Sequence, residues 1–79
     1  MSIYTNQRGQ LTAADIAEAA QIQLQHSPYR TIRRVSCSFH DGVLTLTGHV
    51  PTFHHKQLAQ TAVAGLAGVN QVDNQIEVS

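Results

Sequence analysis

The spacing of apolar residues predicts a first helix over residues 13–26. Thr12 is a favourable N-cap, and Asp15 three residues later completes an acidic version of the capping box. Leu11 and Ile16 have the spacing of a hydrophobic staple around this start. Pro28 is expected to end the helix, because the residue before a proline is pushed out of the helical region. The apolar positions share one face: Ile16, Ala19, Ala20 and Leu24.

Strict alternation of apolar and polar residues predicts a β-hairpin over residues 35–50. Asp41-Gly42 is typical of a type I′ turn, which needs positive φ at both central residues. Gly48 takes the place of a side chain on the apolar face of the second strand, which indicates a bulge or the close approach of a helix. The apolar positions of the two strands are Val35, Cys37, Phe39, Leu44, Leu46 and Val50.

A second helix and a third strand complete the predicted order of helix, strand, strand, helix, strand. Thr52 is the expected N-cap of this helix, and Gly68 is the expected C-terminal stop. Residues 69–78 alternate in polarity and predict the last strand. Each helix has a single apolar stripe, so both are predicted to cover one face of a three-stranded sheet and to leave the other face partly open. The sequence therefore predicts an α+β fold, a two-layer α/β sandwich.

The length and composition of the chain predict one small domain. Its 79 residues are fewer than the roughly 100–150 of a common domain. We expect a flexible N-terminal tail over residues 1–10 and a single domain over residues 11–79. Five Lys and Arg residues balance five Asp and Glu residues, so repulsion between copies is weak and association is favoured.

The N-terminal residues lack the apolar core of a signal peptide. No apolar run approaches the ~18 residues that a membrane span needs. The sequence therefore predicts a cytoplasmic protein without a transmembrane segment.

Two motifs resemble those of BON domains, a family linked to bacterial osmotic stress and nodulation. Residues 41–50, DGVLTLTGHV, are similar to the family's glycine turn followed by a V-x-L-x-G-x-V strand. Residues 68–78, GVNQVDNQIEV, are similar to its closing motif G-V-x-x-V-x-N-x-I/L-x-V. The resemblance covers residues 12–79 and implies an α-β-β-α-β sandwich with a mixed sheet. It also implies a binding role in envelope or stress-response proteins, most often for phospholipid surfaces or small ligands.

The candidate anion-binding residues surround a basic cluster before the first strand. Three guanidinium groups within five residues suit phosphate head groups or a nucleic-acid backbone, which arginine contacts bidentately. The alternative is a solvated loop without a ligand. The start of the second helix adds two histidines to the same predicted surface. The candidate residues are Tyr29, Arg30, Arg33, Arg34, His54 and His55.

The sequence contains no recognisable metal or catalytic site. Adjacent His54 and His55 point about 100° apart on a helix, and no cysteine or carboxylate joins them at ligand spacing. Cys37 lies on an apolar strand face, which favours a buried thiol over a reactive one. The acids are scattered, and no nucleophile motif is present. We therefore expect no metal, no cofactor and no catalytic residue, and hence a protein that is not an enzyme.

Four further residues are expected to have structural roles. Glycine also lets a ligand approach the backbone, and a buried amide also binds ligands, so a binding role is the alternative for each. The structural interpretation assigns the glycines to a turn, a close contact and a helix end, and the asparagine to bonding backbone groups at a loop. These residues are Gly42, Gly48, Gly68 and Asn74.

The sequence favours a binding module whose target is an anionic phospholipid surface or an acidic partner protein. A second hypothesis is a structural homo-oligomerisation unit, expected as a homodimer, that pairs through a sheet edge or the open sheet face. A third, less favoured, is RNA binding of the KH type. The GXXG clamp of that class is missing between two helices, so nucleic acid is an unlikely partner.

Overall fold

The computed structural model of the protein describes residues 12–79. The predicted tail over residues 1–10 and the Leu11 half of the hydrophobic staple lie outside these residues. The described part confirms the predicted α+β class. Its elements are α1 (Ala13–Gln25), α2 (Arg30–Arg33), β1 (Ser36–His40), β2 (Val43–Thr47), β3 (His49–Val50), α3 (Phe53–Val63), β4 (Gln71–Asn74) and β5 (Glu77–Val78).

α1 begins with the predicted capping box. The Thr12 hydroxyl accepts a hydrogen bond from the Asp15 backbone N–H at 3.1 Å, and the Asp15 carboxylate accepts one from the Thr12 N–H at 3.1 Å. These bonds satisfy donors that the first turn of a helix leaves without partners. The helix ends at Gln25, shortly before Pro28. Its buried residues, Ile16, Ala20 and Leu24, lie on the predicted apolar stripe.

The main sheet has three strands in the order β1-β2-β4. β1 and β2 form an antiparallel hairpin, and β4 runs parallel to β2, so the predicted mixed sheet is confirmed. Asp41 and Gly42 have φ of 50° and 80°, as a type I′ turn requires.

Both long helices cover the same face of this sheet. Cys37, Leu46 and Asn74 are paired across the three strands, so their side chains lie in one row on one face. The Cys37 thiol donates to the Ala17 carbonyl of α1 at 3.4 Å. The Asn74 amide donates to the Lys56 carbonyl of α3 at 3.0 Å. The largest fully buried side chains form the core between the layers: Leu24, Ile32, Val35, Leu44, Leu46, Val63 and Ile76.

The second and third predicted strands are each divided in two. Gly48 has φ of 148° and separates β2 from β3. A Cβ on Gly48 would lie 3.4 Å from the Val35 Cα, so the close neighbour is the backbone before β1 and not a helix. The break between β4 and β5 follows Asn74, whose Oδ1 accepts a hydrogen bond from the Ile76 N–H at 3.2 Å. Beyond the breaks, β3 and β5 pair in parallel as a small second sheet.

Two helix predictions also need correction. The stretch expected to be a loop around the arginines contains α2, a single turn that buries Ile32 to 1% exposure. Four residues are too few to produce a recognisable helical period. α3 begins at its predicted N-cap, Thr52, but it ends at Val63 and not at Gly68. Its last turns tighten, since the N–H groups of Ala64 and Leu66 bond to carbonyls three residues back.

Gly68 lies in the turn after α3, where its backbone conformation predicts a specific sensitivity to substitution. Its φ is 90°, and a Cβ there would lie 2.7 Å from the Ile16 Cδ1. We expect Gly68→Ala to lower the free energy of unfolding by about 1–2 kcal/mol, the cost of a left-handed backbone for an L-residue. Gly65→Ala is the matched control, because open space surrounds Gly65; its effect should be within about 0.5 kcal/mol. Equal effects of the two substitutions in urea denaturation would contradict this explanation.

The Cys37 thiol is predicted to react slowly in the folded protein. Burial raises the pKa of this thiol, and the thiol donates towards the Ala17 carbonyl and the Gln21 side chain. Since the thiolate is the nucleophile, a raised pKa lowers the reactive fraction at mildly alkaline pH. Alkylation by iodoacetamide at pH 8 should therefore be several-fold slower in the folded protein than in guanidinium chloride. Equal rates in the two states would show that the thiol is accessible and ionised.

Candidate functional site

The three clustered arginines share one side of the α2 turn. Arg30, Arg33 and Arg34 have i, i+3 and i+4 spacing, which brings their side chains to one side of a helical turn. Arg34 is the C-cap and keeps helical backbone angles. Ile32 points the other way into the core, so the arginines are directed to the surface, where all three are exposed. We call these three residues the basic face.

The basic face has no carboxylate partner within the part of the chain that the structure describes. The ion pairs there are His40–Asp41 and His49–Glu77, each at 3.1 Å and each exposed. One arginine contacts the backbone, since the Arg33 Nη1 donates to the Ser27 carbonyl at 3.0 Å. A carbonyl does not neutralise a guanidinium charge, and like charges one turn apart on a helix repel one another. An external anion would therefore relieve a repulsion that residues 12–79 leave uncompensated.

An aromatic contact joins the basic face to α3. The rings of Tyr29 and His55 meet edge to face, with centroids 4.7 Å apart. The His55 Nδ1 lies 3.1 Å from the hydroxyl of the N-cap residue Thr52, which fixes the ring at the start of α3. His54 is adjacent, with its ring centroid 6.2 Å from that of His55. The structure thus places the predicted residues of the two elements side by side, and their binding of an anion stays a prediction. We call α2 and the first turn of α3 together the basic end.

The neutral net charge conceals a separation of charge along the fold. The Gln21 side chain donates to the Val35 carbonyl at 2.9 Å, and Cys37 donates to the Ala17 carbonyl. β1 therefore runs antiparallel to α1, and the β1–β2 turn lies beside the start of α1, at the opposite end from α2. Three of the five carboxylates, Asp15, Glu18 and Asp41, lie at this opposite end, whereas Asp73 lies in β4 and Glu77 lies in β5 beside His49.

Sequence reasoning missed an open cleft between α3 and the edge strand β4. The cleft has a volume of about 310 Å³, at the lower limit of ordinary small-molecule sites. Phe53 stands at its rim and is 75% exposed. The sequence did contain a signal, since this phenylalanine directly follows the N-cap and lies off the apolar stripe of α3. The lining residues are Phe53, Lys56, Gln57, Gln60 and Asn74.

The residues with predicted structural roles lie outside the basic end, and one of them, Asn74, lines the cleft. The Asn74 Nδ2 donates to the Lys56 carbonyl at 3.0 Å and to the Gln60 Oε1 at 3.2 Å. The Gly42 carbonyl accepts from the N–H groups of Asn70 and Gln71. Gly42, Gly48 and Gly68 all have positive φ.

The reactive groups within residues 12–79 offer little for catalysis or metal binding. No group of three or more His, Cys, Asp or Glu side chains there is arranged to hold a metal ion. The raised pKa of Cys37 is opposite to what a nucleophilic thiolate requires. No helix over these residues has the length and apolar character to cross a membrane.

Comparison with known proteins agrees with the motifs in the sequence. A search of curated proteins finds no significant match to the chain. The BON domain family matches residues 12–79, which is the whole described part of the chain. BON domains are binding domains rather than catalytic ones, and they are associated with phospholipid binding. The chain belongs to the BON domain family.

Proposed function

We propose that this BON domain binds anionic phospholipid surfaces through its basic end and has no catalytic activity. The observation that carries the proposal is the basic face, three exposed arginines on one side of α2 without a carboxylate partner among the described residues. Guanidinium groups bond phosphate oxygens in bidentate geometry, so phospholipid head groups suit this face chemically. An acidic protein surface is the alternative target. A cytoplasmic location and a role in stress response remain predictions of the sequence.

The expected electrostatic affinity is modest. Each cation close to an anionic leaflet contributes about 1 kcal/mol. The three arginines and Lys56 together then give about 4 kcal/mol, which corresponds to a dissociation constant near 1 mM. Such binding is reversible and depends on salt, as expected of a module that visits a surface rather than remaining anchored in it.

The basic face is tested by replacing all three of its arginines. Arg30→Gln, Arg33→Gln and Arg34→Gln together should weaken co-sedimentation with phosphatidylglycerol vesicles by about a hundredfold, because about 3 kcal/mol of attraction is lost. Binding of the unmodified protein should also fall between 0.1 M and 1 M salt, as the Debye length shrinks from about 10 Å to about 3 Å. The melting temperature should change little, since the side chains are exposed and the relief of their repulsion offsets the lost bond from Arg33 to the Ser27 carbonyl.

A charge-matched variant separates the basic face from net charge. Ala13→Glu, Ala14→Glu and Thr61→Glu lower the net charge by the same three units at exposed positions of α1 and α3. Two of these acids fall in the first turn of α1, where the helix dipole favours them. This variant should retain most of the vesicle binding. If both triple variants lose vesicle binding equally, binding depends on overall charge, and the basic face is rejected as the binding site.

A second candidate function is self-association through the open sheet face, which no helix covers within residues 12–79. This face carries a single carboxylate, Asp73, which accepts a hydrogen bond from the Gln75 amide at 2.8 Å. Val43 and Thr45 are half-buried at its centre. A face so poor in charge desolvates at low cost, which suits a two-fold interface between copies. Its residues are Ser36, Ser38, His40, Val43, Thr45, Thr47, Gln71 and Asp73.

A charge placed at the centre of the open face tests this candidate. Thr45→Glu should convert a homodimer to a monomer, because pairing two such faces would bury this carboxylate beside that of Asp73, its neighbour on β4. Thr61→Glu, on the exposed side of α3, is the control and should leave the dimer intact. Light scattering well above micromolar concentration measures the mass of each form. A monomeric unmodified protein under those conditions would reject self-association.

A further inference from the structure

Phe53 is the large apolar side chain that the described fold leaves most exposed. It is 75% exposed, against 43% for Ile22 and 42% for Tyr29. It occupies the first position of α3, directly after the N-cap Thr52. A phenyl ring in water gives up the free energy that its burial would provide, and nothing within residues 12–79 covers this ring.

The turn of α3 that carries the exposed ring also carries a lysine and contacts α2. Lys56 follows Phe53 at i+3 and lines the same cleft, so the ammonium group extends from the same side of α3. On the other side of this turn, His55 contacts Tyr29, which is the N-cap of α2. The basic face begins one residue later, at Arg30. The exposed ring and Lys56 thus belong to a turn of α3 that lies beside the basic face.

We propose that Phe53 inserts its ring between the head groups and the acyl chains of an anionic bilayer, with the basic end facing the membrane. This inference rests on the proposed function and assigns the orientation of the domain on the surface. A soluble phosphate would bond the cations but would leave the ring in water. A bilayer both bonds the cations and buries the ring, because apolar side chains reach the acyl boundary while adjacent cations stay at the level of the phosphates.

Insertion also supplies affinity that the charges alone lack. Full burial of a phenyl ring contributes about as much as two or three cations at an anionic surface. We therefore expect Phe53→Ser to weaken binding to phosphatidylglycerol vesicles by about tenfold or more. Ile22→Ser is the matched control, because Ile22 is exposed on α1 away from its buried stripe. This control should bind vesicles as the unmodified protein does.

Fluorescence tests the depth of the ring directly, since the chain contains no tryptophan. Phe53→Trp should show a blue-shifted emission on mixing with phosphatidylglycerol vesicles, and brominated acyl chains should quench it. Ala14→Trp places the reporter at the exposed start of α1, at the opposite end of the fold from α2. Its emission should stay unchanged while the protein binds.

The outcomes separate this inference from the proposed function. Co-sedimentation of Phe53→Trp without an emission shift would overturn insertion and leave binding by the basic face intact. A shift in Ala14→Trp and not in Phe53→Trp would reverse the orientation and overturn the inference. Failure of the unmodified protein to co-sediment with anionic vesicles would remove both, and would direct the search to an acidic protein with a pocket for Phe53.

Discussion

The side chain of Asn74 holds together the parts of the fold that form the candidate site. Its Nδ2 donates to the Lys56 carbonyl and to the Gln60 side chain, which fixes the first half of α3 on β4. Its Oδ1 accepts from the Ile76 N–H, which ends β4 and turns Ile76 into the core. One amide therefore sets both the position of α3 and the break between β4 and β5. Because Phe53 and Lys56 belong to the turn that is fixed in this way, the cleft and the basic end depend on the same contact.

The position of the basic face depends on packing at the other edge of the sheet, where α2 leads into β1. Ile32 is buried and lies within a single turn, so the arginines on the opposite side of that turn are directed to the surface. Val35 is also buried and directs the chain from α2 into β1. The contact between Tyr29 and His55 then keeps α2 beside the start of α3. The burial of Ile32 and Val35 thus positions arginine charges that themselves contribute little to the stability of the fold.

The parts of this fold that local rules govern were predictable from the sequence. The capping box at Thr12, the Asp41-Gly42 turn and the cap at Thr52 each involve residues within a few positions of one another. The errors arose where contacts distant in sequence decide the structure. Gly48 breaks its strand against the Val35 backbone, and Asn74 breaks the last strand while it bonds to α3. The arginines were identified as candidates from their clustering along the chain, whereas Phe53 was missed because periodicity identifies core residues and gives no weight to an apolar residue outside the stripe.

Net charge and charge distribution have different consequences for a protein of this size. A zero net charge says nothing about binding to an anionic surface, since the Debye length of about 8 Å at physiological ionic strength screens charges at the far end of the fold. Asp15, Glu18 and Asp41 lie at that far end, so they oppose binding only weakly. In the proposed binding mode the same separation orients the domain, because the attraction acts mainly on the basic end. In this mode, the cations attract any polyanion weakly, and the ring of Phe53 adds affinity only when the surface is a bilayer, so the domain would favour membranes over other polyanions. That selectivity depends on the placement of Phe53 and Lys56 on one turn of α3 that contacts α2, which the fold sets and the composition of the chain does not reveal.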